Sequence, residues 1–278
     1  MNIYRLAEIS RPRIWLYLAA PYAIGYAAAT TSAAQFYTFG FWYTLFYFLI
    51  PANFFLYGIS SYFDRMVDIY NPKKKQYESP AQKHEMKVIL NFVLISLIFT
   101  LPLFSYLERY PISVLFCFLL LSAFYSAPPI RFKTIPFLDA ASNMLYVLPG
   151  ILGFTQLTNR PPAISMVIAL TCWAAGVYLF SKISRRVSDR RVRISTSATY
   201  LGRTRSLYAC AGLWLFFAIY MTSLNPLFSI AFLYPAIPIY ILLREPEDMD
   251  SIHRRFTLMN AELMAALFFY LLISKFYS

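Results

Sequence analysis

Charged residues in this chain fall in clusters separated by long intervals that contain none, and those intervals set the frame. A helix needs about 20 mostly apolar residues to cross a bilayer core. The interval 14–63 holds no Asp, Glu, Lys or Arg. It is too long for one crossing and is broken at Thr30-Thr31-Ser32, which makes two helices. Intervals 88–107, 110–130, 140–159 and 161–181 each fit one crossing, with Pro102, Pro111 and Pro161 near ends where proline is tolerated. Residues 206–243 hold two more, divided near Asn225-Pro226, and 256–274 is the last, interrupted only by Glu262. The pattern predicts an all-α polytopic membrane protein, a bundle of nine transmembrane helices with hydrophilic cap loops, formed as one domain over 1–278.

Nine crossings put the termini on opposite sides, and the basic residues test that count. With the loops assigned alternately, 22 of the 25 Lys and Arg fall on the N-terminal side, against Arg109, Arg160 and Lys275 on the other. A missed helix would scramble this asymmetry, so it predicts a cytoplasmic N-terminus and cytoplasmic cap loops, with the C-terminus opposite. The composition agrees. The chain is 59% hydrophobic and 14% charged, where a soluble domain carries about 25% charged residues. Its formal charge of +12, which in a soluble chain would suggest nucleic acid, is here orientation in a lipid bilayer. Cys117, Cys172 and Cys210 sit in apolar runs without metal-ligand spacing, so neither a disulfide framework nor a zinc site is expected. The segment with Arg5, Glu8, Arg11 and Arg13 has no small-residue cleavage site, so no removable signal peptide is expected.

The two longest hydrophilic connections, about 60–87 and 182–205, lie on the same predicted face, and function is expected there because ionisable residues at membrane depth usually face a cavity. Asn53, Tyr57, Ser60, Asp64 and Asp68 recur every three or four residues and share one helix face. Two carboxylates four apart repel unless a cation lies between them. Hard carboxylate oxygens suit Mg²⁺, which often binds through one or two carboxylates plus substrate phosphates; simple pairing with Arg65 or Lys73-Lys74-Lys75 explains the same acids. The second connection holds one acid, Asp189, among Lys182, Arg185, Arg186, Arg190, Arg191 and Arg193. That is either a lipid-headgroup patch or a phosphate site, because guanidinium forks match phosphate oxygens.

Five segments in order then carry a family resemblance. They are Arg11-Pro12-Arg13-Ile14-Trp15-Leu16-Tyr17 with Pro21 and Gly25; Phe55-Leu56-Tyr57-Gly58 with Asp64, Asp68 and Asn71-Pro72-Lys73-Lys74; Tyr125-Ser126-Ala127-Pro128-Pro129-Ile130-Arg131-Phe132-Lys133; Pro136 and Leu138-Asp139 with Ser142 to Gly150; and Thr196-Ser197-Ala198-Thr199-Tyr200-Leu201-Gly202. The chain resembles the UbiA superfamily of intramembrane prenyltransferases, within it the lycopene elongase branch. The resemblance implies a single intramembrane prenyltransferase-like domain that binds an isoprenoid diphosphate with Mg²⁺. It also implies an allylic cation and an apolar acceptor, a polyene such as lycopene or a quinone-like compound. Asp64, Asp68 and Asp189 match the family's acids and are the implied metal-binding and catalytic residues. Arg11, Arg13, Asn53, Ser60, Ser61, Tyr125, Arg131, Lys133, Arg185, Arg186 and Arg190 are the implied substrate contacts.

Two departures alter what is implied. Ser60-Ser61 stands where the family's first motif has Asn-Asp, and Arg185 stands four residues before Asp189 where the family has Asp, with an acid near Val187 also absent. One Mg²⁺ is therefore expected rather than two, with Arg185, Arg186 and Arg190 taking the charge-neutralising role of the other. The alternative is a non-ionising protein that binds a carotenoid or quinone tail, partners an active paralogue or hydrates a terminal double bond. Lone His84 and His253 carry no expectation of a metal. Asn260 and Glu262 are expected either to line a cavity or to be a satisfied polar pair, and Asp139 to cap its own helix.

Overall fold

The computed structural model describes residues 3–68, 81–191, 194–246 and 249–276. Every regular element among them is helical. The Asn71-Pro72-Lys73-Lys74 motif and Arg193 lie outside the described residues, as do the side chains of Arg13, Asp68 and Arg191. The helices are α1 Ile3–Ser10, α2 Leu16–Ala29, α3 Phe39–Leu49, α4 Pro51–Asp68, α5 Met86–Ile98, α6 Arg109–Ser126, α7 Leu138–Ala141, α8 Leu148–Thr158, α9 Ile164–Ile183, α10 Arg186–Arg191, α11 Ser197–Leu224, α12 Leu233–Arg244 and α13 Met249–Phe276.

Seven helical segments are long and apolar enough to cross a membrane: Phe39–Arg65, Lys83–Ser105, Arg109–Ser126, Ile164–Ile183, Ser197–Leu224, Pro226–Arg244 and Ser251–Phe276. Each corresponds to an expected crossing. The other two expected crossings have a different form. The first is only the 14-residue α2. The fifth, 140–159, is split into α7, a 3-10 turn at Ser142–Tyr146 and α8. Its polar residues account for the break: the Asn143 side chain donates to Ala174 O at 2.8 Å, the Ser142 hydroxyl donates to Asp139 O at 3.1 Å, and Pro149 has no N–H to give.

Packing divides the chain into two compact units, Met1–Arg131 with Leu148–Pro162 and Leu263–Ser278, and Phe132–Val147 with Ala163–Glu262. The first unit is organised by α2 against α8. A Cβ on Gly25 would overlap the Gly150 carbonyl, and one on Gly153 would overlap the Tyr22 carbonyl. Only glycine lets these backbones meet, the device by which small residues bring membrane helices together. Around that seam Tyr22, Tyr26, Phe41, Phe48 and Phe118 are buried, with Phe48 edge-on to Phe118 at 5.3 Å. The Tyr22 hydroxyl donates to Gln156 Oε1 at 3.0 Å, which satisfies its polar tip.

The second unit packs α9, α12 and the 3-10 segment Pro226–Phe232 on α11. Trp214 is fully buried against Phe180, Tyr234 and Phe256. Its indole N–H donates to Trp173 O at 3.1 Å, and Gly176 makes the room. Asn260 accepts from the Tyr234 hydroxyl at 2.7 Å and is buried, whereas Glu262 is exposed. Asn260 is thus a satisfied polar residue, paired with Tyr234 rather than Glu262.

Candidate active site

In the first unit the site is built on α4. The α3–α4 break falls at Ile50, whose φ and ψ of −121° and −67° leave the helical region, and at Pro51. The Asn53 Nδ2 repairs the break by donating to Phe48 O at 2.8 Å and Leu49 O at 3.1 Å. Asn53 is fully buried, and its Oδ1 has no hydrogen-bond partner among the described residues. Two turns on, the Ser60 hydroxyl donates to Asp64 Oδ2 at 2.8 Å, the i to i+4 geometry that the spacing implied. The other carboxylate oxygen, Oδ1, accepts from Arg131 Nη2 at 3.0 Å.

Arg131 was expected on the substrate; the structure places it on Asp64. It follows the prolines that end α6 and has a φ of 51°, which turns the chain back toward α4. The Asp64 side chain is 8% exposed and that of Arg131 36%. A carboxylate this buried needs its partners, because an unpaired buried charge is expensive. The arginine end is screened enough that the pair itself adds about 1 kcal/mol or less, so Arg131 can move to another anion provided that a cation takes its place on Asp64. Ser61 is buried beside this group in sequence, and Tyr125 is half-buried near the end of α6.

Arg11, also at positive φ, lays its guanidinium 4.8 Å from the centroid of the Tyr57 ring. Its segment is anchored through α1, where Arg5 Nε and Nη2 donate to the two Glu85 carboxylate oxygens at 2.9 and 3.1 Å. That hydrogen bonding, with a smaller one to Glu8 and against the effect of burial, raises the pKa of Arg5 above its ordinary value.

The second unit holds the other expected residues. Lys182 Nζ pairs with Asp189 Oδ2 at 3.4 Å, both side chains largely buried. Arg185 and Arg186 are half-buried, and Arg190 Nη2 donates to Thr199 O at 3.0 Å. Gly202 interrupts α11 with a φ of 82°, a conformation that favours glycine. The Arg186 Nη1 stands 3.6 Å from where a Cβ on Gly202 would be, an ordinary contact, so it is the backbone conformation and not space that favours glycine there. Lys133 is half-buried in a 3-10 turn, Phe132–Thr134.

Asp139 serves a different helix end from the one expected. Its carboxylate accepts from its neighbour Ala140 N at 2.9 Å, but also from Ser197 N at 2.8 Å and from the Ser197 hydroxyl. It thereby fastens the 132–139 loop to the start of α11, where Thr196 and Thr199 form a reciprocal capping box.

Two residues were undervalued in the sequence. Ser197 resembled a routine helix start. Lys182 stands in a basic run whose bulk charge hides it, although a base seven residues before the loop's only acid can meet it when the chain folds back after α9.

The donor chemistry can be tested against divalent metal. Among the described residues no three His, Cys, Asp or Glu side chains converge. A buried carboxylate on α4, with Asp68 four residues on in the same helix, fits one hard cation that takes its remaining ligands from phosphate and water. Asp189 does not fit a second. A divalent ion on its carboxylate would stand roughly 4 Å from the Lys182 ammonium, a repulsion of about 8 kcal/mol at an effective dielectric of 20.

The UbiA prenyltransferase family model matches residues 18–272. The chain belongs to the UbiA prenyltransferase family. Within this UbiA chain, 241 residues are 36% identical to a lycopene elongase/hydratase from Haloarcula japonica, covering 85% of this chain and 81% of that protein. A lycopene elongase/hydratase from Haloferax volcanii is 37% identical over 237 residues, covering 85% and 77%. The fold is similar to that of a UbiA homologue from Archaeoglobus fulgidus solved with DMAPP and Mg²⁺ (TM-score 0.73, 19% identity, 96% and 98% covered). UbiA membership and the long apolar helices make this an integral membrane protein.

Proposed function

We propose that this UbiA protein is a prenyltransferase that moves a dimethylallyl group from its diphosphate to the end of a carotenoid such as lycopene. The observation that carries the reading is the buried Asp64, gripped by Ser60 and Arg131 at the end of an apolar helix. Such a carboxylate is held ready for a cation, and the names of the Haloarcula and Haloferax relatives supply the acceptor. Asp64 and Asp68 hold one Mg²⁺, which when bound neutralises diphosphate charge.

Ser60 keeps the Asp64 carboxylate oriented. Arg131 leaves Asp64 for the diphosphate, and Arg11, steadied on Tyr57, adds a second guanidinium. In the second unit Arg185, Arg186 and Arg190 provide further positive charge of the kind a departing diphosphate requires. The allylic carbon–oxygen bond breaks with its electron pair going to the diphosphate. The terminal double bond of the acceptor attacks the allylic cation, and the resulting tertiary cation loses a proton. The N-terminus and both long connections lie in the cytoplasm, the C-terminus opposite, and 1–278 works as one prenyltransferase domain.

Hydration is a second reading with support of its own. Both relatives named above are also called hydratases. Asn53 Oδ1 and the hydroxyls of Tyr47 and Ser122 are buried and unpartnered among the described residues of the first unit, and such atoms are normally satisfied by water. Capture of water by the tertiary cation, with loss of a proton, would give an alcohol.

Membranes containing the protein, supplied with dimethylallyl diphosphate, lycopene and Mg²⁺, are expected to release diphosphate and yield lycopene heavier by one prenyl unit, with or without one water. Asp64→Asn should abolish both changes. A parent and an Asp64→Asn variant that both leave lycopene unchanged, or that both convert it, would defeat the transferase reading.

A further inference from the structure

The second loop, short of acids, holds a buried base beside the one acid it keeps. Lys182 closes α9 and reaches Asp189 at 3.4 Å, with side-chain exposures of only 19% and 11%. The ammonium also lies 5.6 Å from the Tyr178 ring centroid. An ammonium has three donors, and among the described residues one is spent on Asp189. Burial on this scale is rare for lysine unless it is paired, and the donors beyond the one on Asp189 can be given to a second anion.

We propose that Lys182 is the resident cation of the second loop: its ammonium, held in place by Asp189, makes a diphosphate-binding site of the second unit that needs no divalent ion of its own. Asp189 is then a positioning residue rather than a metal ligand. This deepens the transferase reading and rests on it. Lys182 forms no covalent bond. It donates a hydrogen bond to the diphosphate oxygens as the allylic carbon–oxygen bond breaks and they take the electron pair. A lysine suits the position because it is a compact point charge on a flexible stem, and the acid that restrains it lies seven positions on in the chain.

The test uses the full-length protein in lipid nanodiscs, with inorganic pyrophosphate as the anion and Mn²⁺ as a spectroscopic substitute for Mg²⁺. Electron paramagnetic resonance in saturating pyrophosphate is expected to count one Mn²⁺ per chain. Calorimetry in excess Mn²⁺ should show pyrophosphate affinity falling about tenfold or more in Lys182→Met, with Lys182→Arg restoring most of it. The double variant Lys182→Met/Asp189→Asn leaves no buried unpaired carboxylate and should bind as weakly as Lys182→Met.

Two Mn²⁺ per wild-type chain would overturn the proposal, and that measurement needs no variant to fold. Wild-type affinity in the double variant would overturn it too. If the wild type turns over dimethylallyl diphosphate while Lys182→Met performs equally, only the role of Lys182 is lost. A wild type that neither binds pyrophosphate nor releases it from dimethylallyl diphosphate sinks the transferase reading and this inference together.

Discussion

Ser60, Asp64 and Arg131 show how little apparatus holds a buried carboxylate at the end of an apolar helix: one hydroxyl a turn away, and one guanidinium brought back by a left-handed residue. Each partner satisfies a different oxygen, so their losses should be felt differently. Ser60→Ala removes the hydrogen bond that orients Asp64 and should raise the Mg²⁺ concentration for half-maximal turnover by about 10-fold or more, the usual cost of losing a partner behind a metal ligand. Arg131→Met should instead act mainly on the KM for the diphosphate, because with Mg²⁺ present the ion would supply the charge partner that Asp64 loses. A metal titration and a substrate titration on the two variants separate the effects. The Ser60–Asp64 contact was legible in the sequence, since four-residue spacing on one helix dictates it. The Arg131–Asp64 and Lys182–Asp189 contacts were not. They depend on how the chain turns after α6 and after α9, and no local pattern encodes such a return.

At the level of helices, charge-free intervals located the apolar segments because burying charge in lipid is costly everywhere along a span. What they could not show was continuity. Residues 138–158 are as poor in charge as any intact span, yet Ser142, Asn143 and Pro149 redirect the backbone, and uncharged polar residues do not register in a count of Lys, Arg, Asp and Glu. Close approach was equally silent. Gly25 and Gly212 look alike in sequence, but a Cβ on Gly25 would strike the Gly150 backbone, whereas one on Gly212 in α11 would meet nothing within 4 Å. Gly25→Ala is expected to destabilise by about 3 kcal/mol or more, because backbone cannot step aside as a side chain can. Gly212→Ala should be neutral or stabilising by up to about 1 kcal/mol, from helix propensity alone. Thermal unfolding of the two variants in detergent, monitored by tryptophan fluorescence, checks the contrast.

For the whole molecule, the basic residues make a prediction about orientation that is independent of catalysis. Val187 is 59% exposed in the second connection, and Thr31 is exposed in the connection after α2. In a background lacking Cys117, Cys172 and Cys210, Val187→Cys should react with a membrane-impermeant maleimide only when the cytoplasmic face is accessible, and Thr31→Cys only from the other face. Labelling of both from one side would break the alternation on which the charge count depends. The outer surface carries Trp42, Leu94, Ile98, Phe116, Leu215 and Phe269 exposed, and in lipid such a surface is no liability.

Lys275, near the end of α13, is one of the three bases that the charge count leaves on the side opposite the N-terminus. Its ammonium donates to the carbonyls of Ala28 at 2.6 Å and Thr30 at 2.8 Å, closing the C-terminal end of α2. Its partner Thr30 is 245 residues away in the chain. The end of the first apolar helix is thus tied to the final turns of α13, a staple made from two distant parts of the described chain, and Lys275→Met would leave both carbonyls without that donor.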